Sequence, residues 1–105
     1  MADIMKILQQ AQQMQGRLQQ IQDELAQQTV SASAGGGMVT VEADGKGQMR
    51  SIKIDPAVVN AADVEMLEDL VLVAVTEAQK KAAALAQQEM GKLTGGMDLP
   101  FKLPF

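Results

Sequence analysis

The spacing of apolar residues near the N-terminus constrains the fold of this chain more than any other feature. Apolar side chains recur there at alternating intervals of three and four residues, which is the pattern of one face of an α-helix. A helix over residues 1–28 would be about 40 Å long at about 1.5 Å per residue. Because the chain has only 105 residues, this helix is longer than its own sheet requires, and its length favours a dimer. We name this stripe the seam, and it consists of Ile4, Ile7, Ala11, Met14, Leu18, Ile21 and Leu25.

Residues 29–55 change to a period of two, which predicts strands. The alternation is interrupted at residues 35–37, which are all glycine, and at the Asp-Gly-Lys-Gly run of residues 44–47. We therefore expect three antiparallel strands joined by two turns, the second with a two- or four-residue loop. Arg50 shares the apolar face near its edge, where its head should reach solvent. The apolar face, which we expect to pack on a helix, carries Val39, Val41, Ile52 and Ile54. The opposite, solvent-exposed face carries Thr40, Glu42, Ser51 and Lys53.

A second helical segment covers residues 63–94 and ends before a Gly-Gly pair. Asp63 is a suitable N-cap for it. Its first half is apolar on all sides, so we expect it to be buried twice, by its own sheet and by a second subunit. We therefore predict an obligate homodimer with Leu70, Val71, Leu72, Val73 and Val75 in the interface.

The order of these elements predicts a single α+β domain: a long N-terminal helix, a three-stranded antiparallel sheet and a long C-terminal helix. Residues 95–105 follow as a tail that contains Gly and Pro. Pro100 and Pro104 exclude regular structure there. We predict that this tail is loose and that folding does not require it.

Composition excludes several classes of function. The chain has no Cys and no His, so disulfides, thiolate nucleophiles, Cys/His metal sites and imidazole catalysis are absent. Only Phe101 and Phe105 are aromatic, so the core should consist of Leu, Ile, Val, Ala and Met. The longest apolar run, residues 70–75, is far shorter than the roughly 20 residues of a membrane span, and no signal-peptide pattern is present. We expect a soluble cytoplasmic protein that is not an enzyme and has no metal, cofactor or small-molecule substrate.

Five segments together resemble one protein family. They are MKILQQAQQMQ at 5–15, AGGGMVTV at 34–41 with the turn at 44–45, SIKIDP at 51–56, MLEDLV at 66–71 and EMGKLTGGM at 89–97. In this order and over almost the whole chain, they resemble the YbaB/EbfC family of bacterial nucleoid-associated proteins. The resemblance implies a tweezers-like homodimer that binds double-stranded DNA with little sequence specificity and without a cofactor. It also implies association with the nucleoid, where the protein would organise the chromosome or influence gene expression.

Candidate DNA contacts follow from this resemblance and from helical geometry. At about 100° per residue, four polar residues share one edge of the first helix beside the seam. Lys and Arg neutralise phosphates, and Gln hydrogen-bonds phosphates or base edges. On the second helix, Lys80 points away from the apolar face, and Lys81 follows it. The candidates are Lys6, Gln10, Gln13, Arg17, Lys80 and Lys81.

Two alternatives remain open on the sequence alone. The polar edge of the first helix is also what an ordinary solvated helix presents. The net charge of −4 is unusual for a DNA-binding protein, because phosphate neutralisation normally rests on a basic surplus. It favours a rival function, a dimeric protein–protein adaptor whose long helices clasp another protein.

Overall fold

A computed structural model describes residues 2–93 of the chain. The first helix, α1, spans Ala2–Gln27, and the second, α2, spans Val64–Leu93. Between them lie the strands β1 (Thr29–Ala34), β2 (Val39–Asp44) and β3 (Met49–Ile54), followed by a short 3-10 helix at Pro56–Val58. The predicted order of a long helix, a three-stranded antiparallel sheet and a second long helix is therefore confirmed. The predicted tail lies outside the described residues.

The three strands form one antiparallel sheet in the order β1-β2-β3. Val39 pairs with Ile54 and Val41 with Ile52, so these four residues share a face as predicted. The Asp63 carboxylate accepts a hydrogen bond from the Met66 amide at 3.2 Å, which confirms Asp63 as the N-cap of α2.

The core lies between α2 and the first two strands. Val39, Val41 and Ala43 are fully buried, and they meet Ala74 and Ala78, which are one helical turn apart on α2. Small side chains at this spacing let the helix lie close to the sheet. Among the described residues the fully buried hydrophobic ones are Ala, Val and Leu25, and Met38 is half-buried against this core.

The third strand is left uncovered, which corrects the prediction that the whole apolar face of the sheet packs on a helix. Every residue of β3 is exposed, and Ile52 keeps 48% of its surface accessible. The reason is geometric: a helix about 10 Å wide covers two strands that are about 4.8 Å apart, and not a third. Within one chain, the apolar side of β3 therefore has no cover among the described residues.

The helix α1 leaves the body of the protein soon after its last turns. Leu25 is buried, while Leu18 and Ile21 are half-buried. Residues 2–17, which we name the arm, carry the rest of the seam into solvent, and Ile7 is 62% exposed. The remainder of the described chain, residues 18–93, is named the body. Neither α1 nor α2 has an apolar stretch long enough to cross a lipid bilayer.

Candidate nucleic-acid interface

The arm displays its four candidate residues along one edge. Gln10, Gln13, Met14 and Arg17 line a shallow groove of about 230 Å³ on the surface of α1. Lys6 lies one helical turn before Gln10, so it extends the same edge towards the N-terminus. Lys6 and Arg17 are eleven positions apart, which corresponds to about 16 Å along the helix. Two cations and two amides thus follow one line on a projecting helix.

The cations of the arm are not neutralised by neighbouring acids. Within residues 2–93, the ion pairs involve Arg50, Lys80 and Lys92, and neither Lys6 nor Arg17 takes part in one. The acids at the other end of α1 have polar partners of their own. Gln19 donates to Asp23 at 3.1 Å and Gln20 donates to Glu24 at 3.4 Å. The positive charge of the arm therefore faces solvent, although the chain as a whole is acidic.

The two candidates on α2 lie in a different environment. The ammonium group of Lys80 is 3.6 Å from the Glu77 carboxylate, one turn earlier on the same helix. Lys81 reaches across to the sheet and donates a hydrogen bond of 2.7 Å to the backbone carbonyl of Ser31 in β1. The polar partners of both lysines thus lie in the body and do not connect them to the cations of the arm. A pair as exposed as Lys80 and Glu77 is weak, so Lys80 keeps much of its capacity to bind an anion.

The C-terminal end of α1, from which the arm projects, is held by residues of the β2–β3 hairpin. The Asp44 carboxylate is 1% exposed, and its Oδ1 accepts hydrogen bonds from the amides of Lys46 at 2.9 Å and Gln48 at 3.0 Å. Its Oδ2 accepts a hydrogen bond from Nη2 of Arg50 at 3.0 Å. The Gln48 amide, together with the Lys46 amide and Arg50, holds the pKa of Asp44 below its ordinary value, against the opposing effect of burial.

The same hairpin binds the end of α1. Nη2 of Arg50 also donates to the Ala26 carbonyl at 3.2 Å, and the Gly45 amide donates to the Leu25 carbonyl at 2.8 Å. The prediction that the head of Arg50 reaches solvent is confirmed, since 52% of the side chain is exposed, although its Nη2 also binds Asp44 and the end of α1. A β-bulge lies at this position: Glu42 pairs with Ser51 and Ala43 with Met49, so Arg50 is an extra residue in β3.

Gly45 is required at this junction by the lack of space for a side chain. A Cβ atom there would lie 2.7 Å from the Leu25 carbonyl oxygen, which is too close for any side chain. The Asp-Gly pair predicted the turn correctly, with a four-residue loop. No local pattern indicates that the turn also touches the end of α1, since this contact joins segments about twenty residues apart.

The predicted interface residues divide between the core and the surface. Leu70, Val71 and Val75 pack against the core of their own chain. Leu72 and Val73 lie on the opposite side of α2, where they are 64% and 50% exposed. Beside α2, a groove of about 300 Å³ runs between Val75 and the uncovered strand β3. We name the exposed apolar residues of β3 and of the surface of α2 together the open face: Ile52, Ile54, Leu72 and Val73.

Comparisons with known proteins identify a DNA-binding family and support the fold. The model of the YbaB/EbfC DNA-binding family matches residues 1–97. A nucleoid-associated protein of Gemmatimonas aurantiaca is 60% identical over 103 residues, which cover 98% of this chain and 99% of that protein. A nucleoid-associated protein of Desulfotalea psychrophila is 49% identical over 98 residues, covering 93% and 92%. The crystal structure of an uncharacterized protein from Helicobacter pylori has a TM-score of 0.70 at 20% identity, covers 87% of this chain and 91% of that one, and supports the fold.

Proposed function

Because this chain belongs to the YbaB/EbfC DNA-binding family, we propose that it binds double-stranded DNA as a homodimer and with little sequence specificity. The family is defined by DNA binding and not by catalysis, so we propose no reaction and no cofactor. Its relatives in Gemmatimonas aurantiaca and Desulfotalea psychrophila are named nucleoid-associated proteins. We extend that location to this protein, with a role in organising the chromosome or influencing gene expression.

The observation that carries this proposal is the polar edge of the arm, whose two cations have no acidic partner within residues 2–93. The distance of about 16 Å between Lys6 and Arg17 corresponds to about five base pairs at about 3.4 Å each. The two side chains are thus spaced to bind separate phosphates, while Gln10 and Gln13 between them hydrogen-bond phosphate or base edges. Contacts made mainly to phosphates carry little sequence information, which accounts for low specificity.

The open face supports the dimer. Ile52 and Ile54 on β3 and Leu72 and Val73 on α2 are apolar side chains that one chain leaves exposed to water. Full burial of one such side chain contributes about 1.5–3 kcal/mol, so a second chain that covers this surface would gain substantially. A dimer also brings two arms to one DNA molecule, which doubles the number of phosphate contacts.

A protein–protein adaptor is a second candidate, and one observation favours it. The seam on the arm exposes Ile4, Ile7 and Met14 to solvent, and Leu8 beside it is exposed too. An apolar stripe on a projecting helix is suited to a groove on another protein. The adaptor would use the seam, whereas DNA would bind the polar edge, so substitutions on the two sides of α1 separate these functions.

Fluorescence anisotropy with a random-sequence duplex over a salt series tests the proposal. If only Lys6 and Arg17 of two chains bind phosphates, four contacts predict a slope of about −3.6 in log affinity against log salt. If Lys80 and Lys81 also participate, eight contacts predict about −7. Absence of binding even at low salt would refute DNA binding and favour the adaptor. A strong preference for one sequence would contradict low specificity.

A further inference from the structure

The arm is long, and α1 contacts the rest of the described chain only near its C-terminal end. Among the seam residues only Leu25 is buried, and Leu18 and Ile21 are half-buried, so the body contacts α1 mainly over its last turns. A rotation of about 10° at the base would move a point about 35 Å away by about 6 Å. That displacement is nearly twice the rise of one base pair, which is about 3.4 Å. Whatever fixes the base of α1 therefore determines where the polar edge meets its ligand.

The last turns of α1 pack beside α2, and the hydrogen bonds to this base come from the hairpin and bind carbonyls of the last helical turn. Such carbonyls have no partner inside a helix and are available to outside donors. The Gly45 amide donates to Leu25 at 2.8 Å and to Gln28 at 3.2 Å. Arg50 donates to Ala26 at 3.2 Å. Two separate points of the hairpin thus hold consecutive peptide groups at the end of α1.

The buried carboxylate of Asp44 orients both donors, the Gly45 amide and the Arg50 guanidinium. Asp44 fixes the loop through the amides of Lys46 and Gln48, and this loop carries Gly45. It also binds the same Arg50 nitrogen that reaches Ala26, so the nitrogen bridges a buried anion and the helix end. A guanidinium held on one side by a carboxylate has little freedom to change its other contact.

We propose that Asp44, Gly45 and Arg50 form an anchor that sets the direction of the arm and so positions Lys6, Gln10, Gln13 and Arg17 for DNA. Arg50 is a positioning residue, and it contacts DNA only through the helix that it holds. The role in DNA binding rests on the function proposed above, whereas the role in fixing the arm does not. Arg50 is absent from the core between α2 and the first two strands, so its loss should release the arm without unfolding the body.

The test compares Arg50→Met with Lys53→Met. Both variants remove one positive charge from β3, but the side chain of Lys53 has no hydrogen bond or ion pair with another residue in the range 2–93. The chain has no Cys, so Gln9→Cys on the arm and Glu42→Cys on the sheet provide two unique spin-label sites. Labelled chains are diluted with unlabelled protein, and double electron–electron resonance measures the distance between the labels within one chain.

We expect a narrow distance distribution in the parent and in Lys53→Met, and a broader or shifted one in Arg50→Met. Arg50→Lys, which restores the charge beside Asp44, should recover part of the parental distribution. The affinity of Arg50→Met for a duplex should fall about two- to thirtyfold below that of Lys53→Met. If Arg50→Met does not fold, Arg50→Lys is compared with the parent by the same measurements.

The outcomes separate this inference from the proposed function. An unchanged distance distribution in the Arg50 variant overturns the anchor, whatever happens to DNA binding. A changed distribution with unchanged affinity overturns the positioning role. If the parent does not bind DNA, the proposed function fails, and the label distances still decide whether the hairpin directs the arm.

Discussion

The arm and the body contain the same kinds of apolar residue, but those of the seam are at least half-buried in the body and exposed on the arm. The seam runs through both, yet Leu25 in the body is 5% exposed while Ile7 in the arm is 62% exposed. Helical spacing places these residues on one stripe, but burial depends on whether another element lies against that stripe. Here α2 and the hairpin reach only the last turns of α1.

Because of this difference, we expect the body to determine folding stability and the arm to determine ligand binding. Substitutions in the body should change folding or assembly, because its side chains exclude water from a shared core. Substitutions on the arm should change binding, because its side chains touch little of their own chain.

The most severe change places a charge on the open face of the body. Val73→Asp should split or unfold the protein, because an unpaired carboxylate in a subunit interface loses its hydration without gaining a partner. Leu72→Asp should act in the same way. Analytical ultracentrifugation at micromolar concentration measures the effect, with Gln88→Asp on the polar half of α2 as the control. A stable folded monomer of the parent would show that no second chain covers this face.

Charge reversal on the arm should abolish DNA binding and leave the body intact. Lys6→Glu with Arg17→Glu replaces both phosphate contacts by repulsive groups. The matched control is Lys46→Glu with Lys53→Glu, which makes the same change in net charge on the body. Anisotropy measures binding, and sedimentation verifies the dimer. Equal weakening by both double variants would indicate diffuse electrostatics instead of a site on the arm.

Two truncations within the seam compare its covered and uncovered parts directly. Leu25→Ala should lower the free energy of unfolding by about 2–5 kcal/mol, since it opens a cavity at a buried site. Ile7→Ala should change it by less than about 0.5 kcal/mol, as expected of an exposed position. Urea unfolding at a fixed protein concentration measures both values. A comparable loss for Ile7→Ala would mean that another chain covers the arm.

Acid should weaken the joint between the two regions. The pKa of Asp44 is held below its ordinary value of 3.8, mainly by the Gln48 amide, so the folded protein favours the ionised carboxylate. Its contribution to stability is therefore complete above the ordinary value and declines as the pH falls through 3.8 towards the lowered pKa. Urea unfolding at pH 7, 5 and 3.5 should show the same difference in stability between parent and Asp44→Asn at pH 7 and 5, and a smaller difference at pH 3.5. A constant difference would exclude Asp44 as the titrating group.

The smallest effect is expected from removal of residues 99–105, which lie outside the described residues. The sequence predicts that the two prolines exclude regular structure in this segment. Deletion should leave the melting temperature within about 2 °C of the parent, as measured by circular dichroism at equal concentration. A large fall would mean that Phe101 or Phe105 anchors the tail in an apolar groove.

Local signals made the element boundaries predictable from sequence. The period changes from helical to strand spacing near Thr29, the glycines at 35–37 interrupt the strands, and Asp63 caps α2 through its own side chain. Each of these depends on residues that are close together in the chain. The edge of the arm was predictable for the same reason, since its four residues lie within three helical turns.

Contacts between distant segments could not be predicted in this way. A bulge at Arg50 shifts the register by one residue, and alternation along a single strand does not reveal it. The exposure of Ile52 depends on the width of a helix that begins ten residues beyond β3. The proximity of Gly45 to Leu25 depends on how α1 meets the hairpin, which no local pattern encodes.

The hydrogen bond from Lys81 to Ser31 also bears on how the protein resists aggregation. Strand β1 lies at one edge of the sheet, and an uncovered edge is a template for a strand from another molecule. Lys81 occupies one backbone carbonyl of β1 and brings a positive charge beside it. An incoming strand would have to displace this contact and bury the ammonium group, which is costly without a partner. The lysine thus protects the β1 edge of the sheet against the growth of intermolecular β-structure. Such protection matters most at high local concentration, which binding of many copies to one DNA molecule would create.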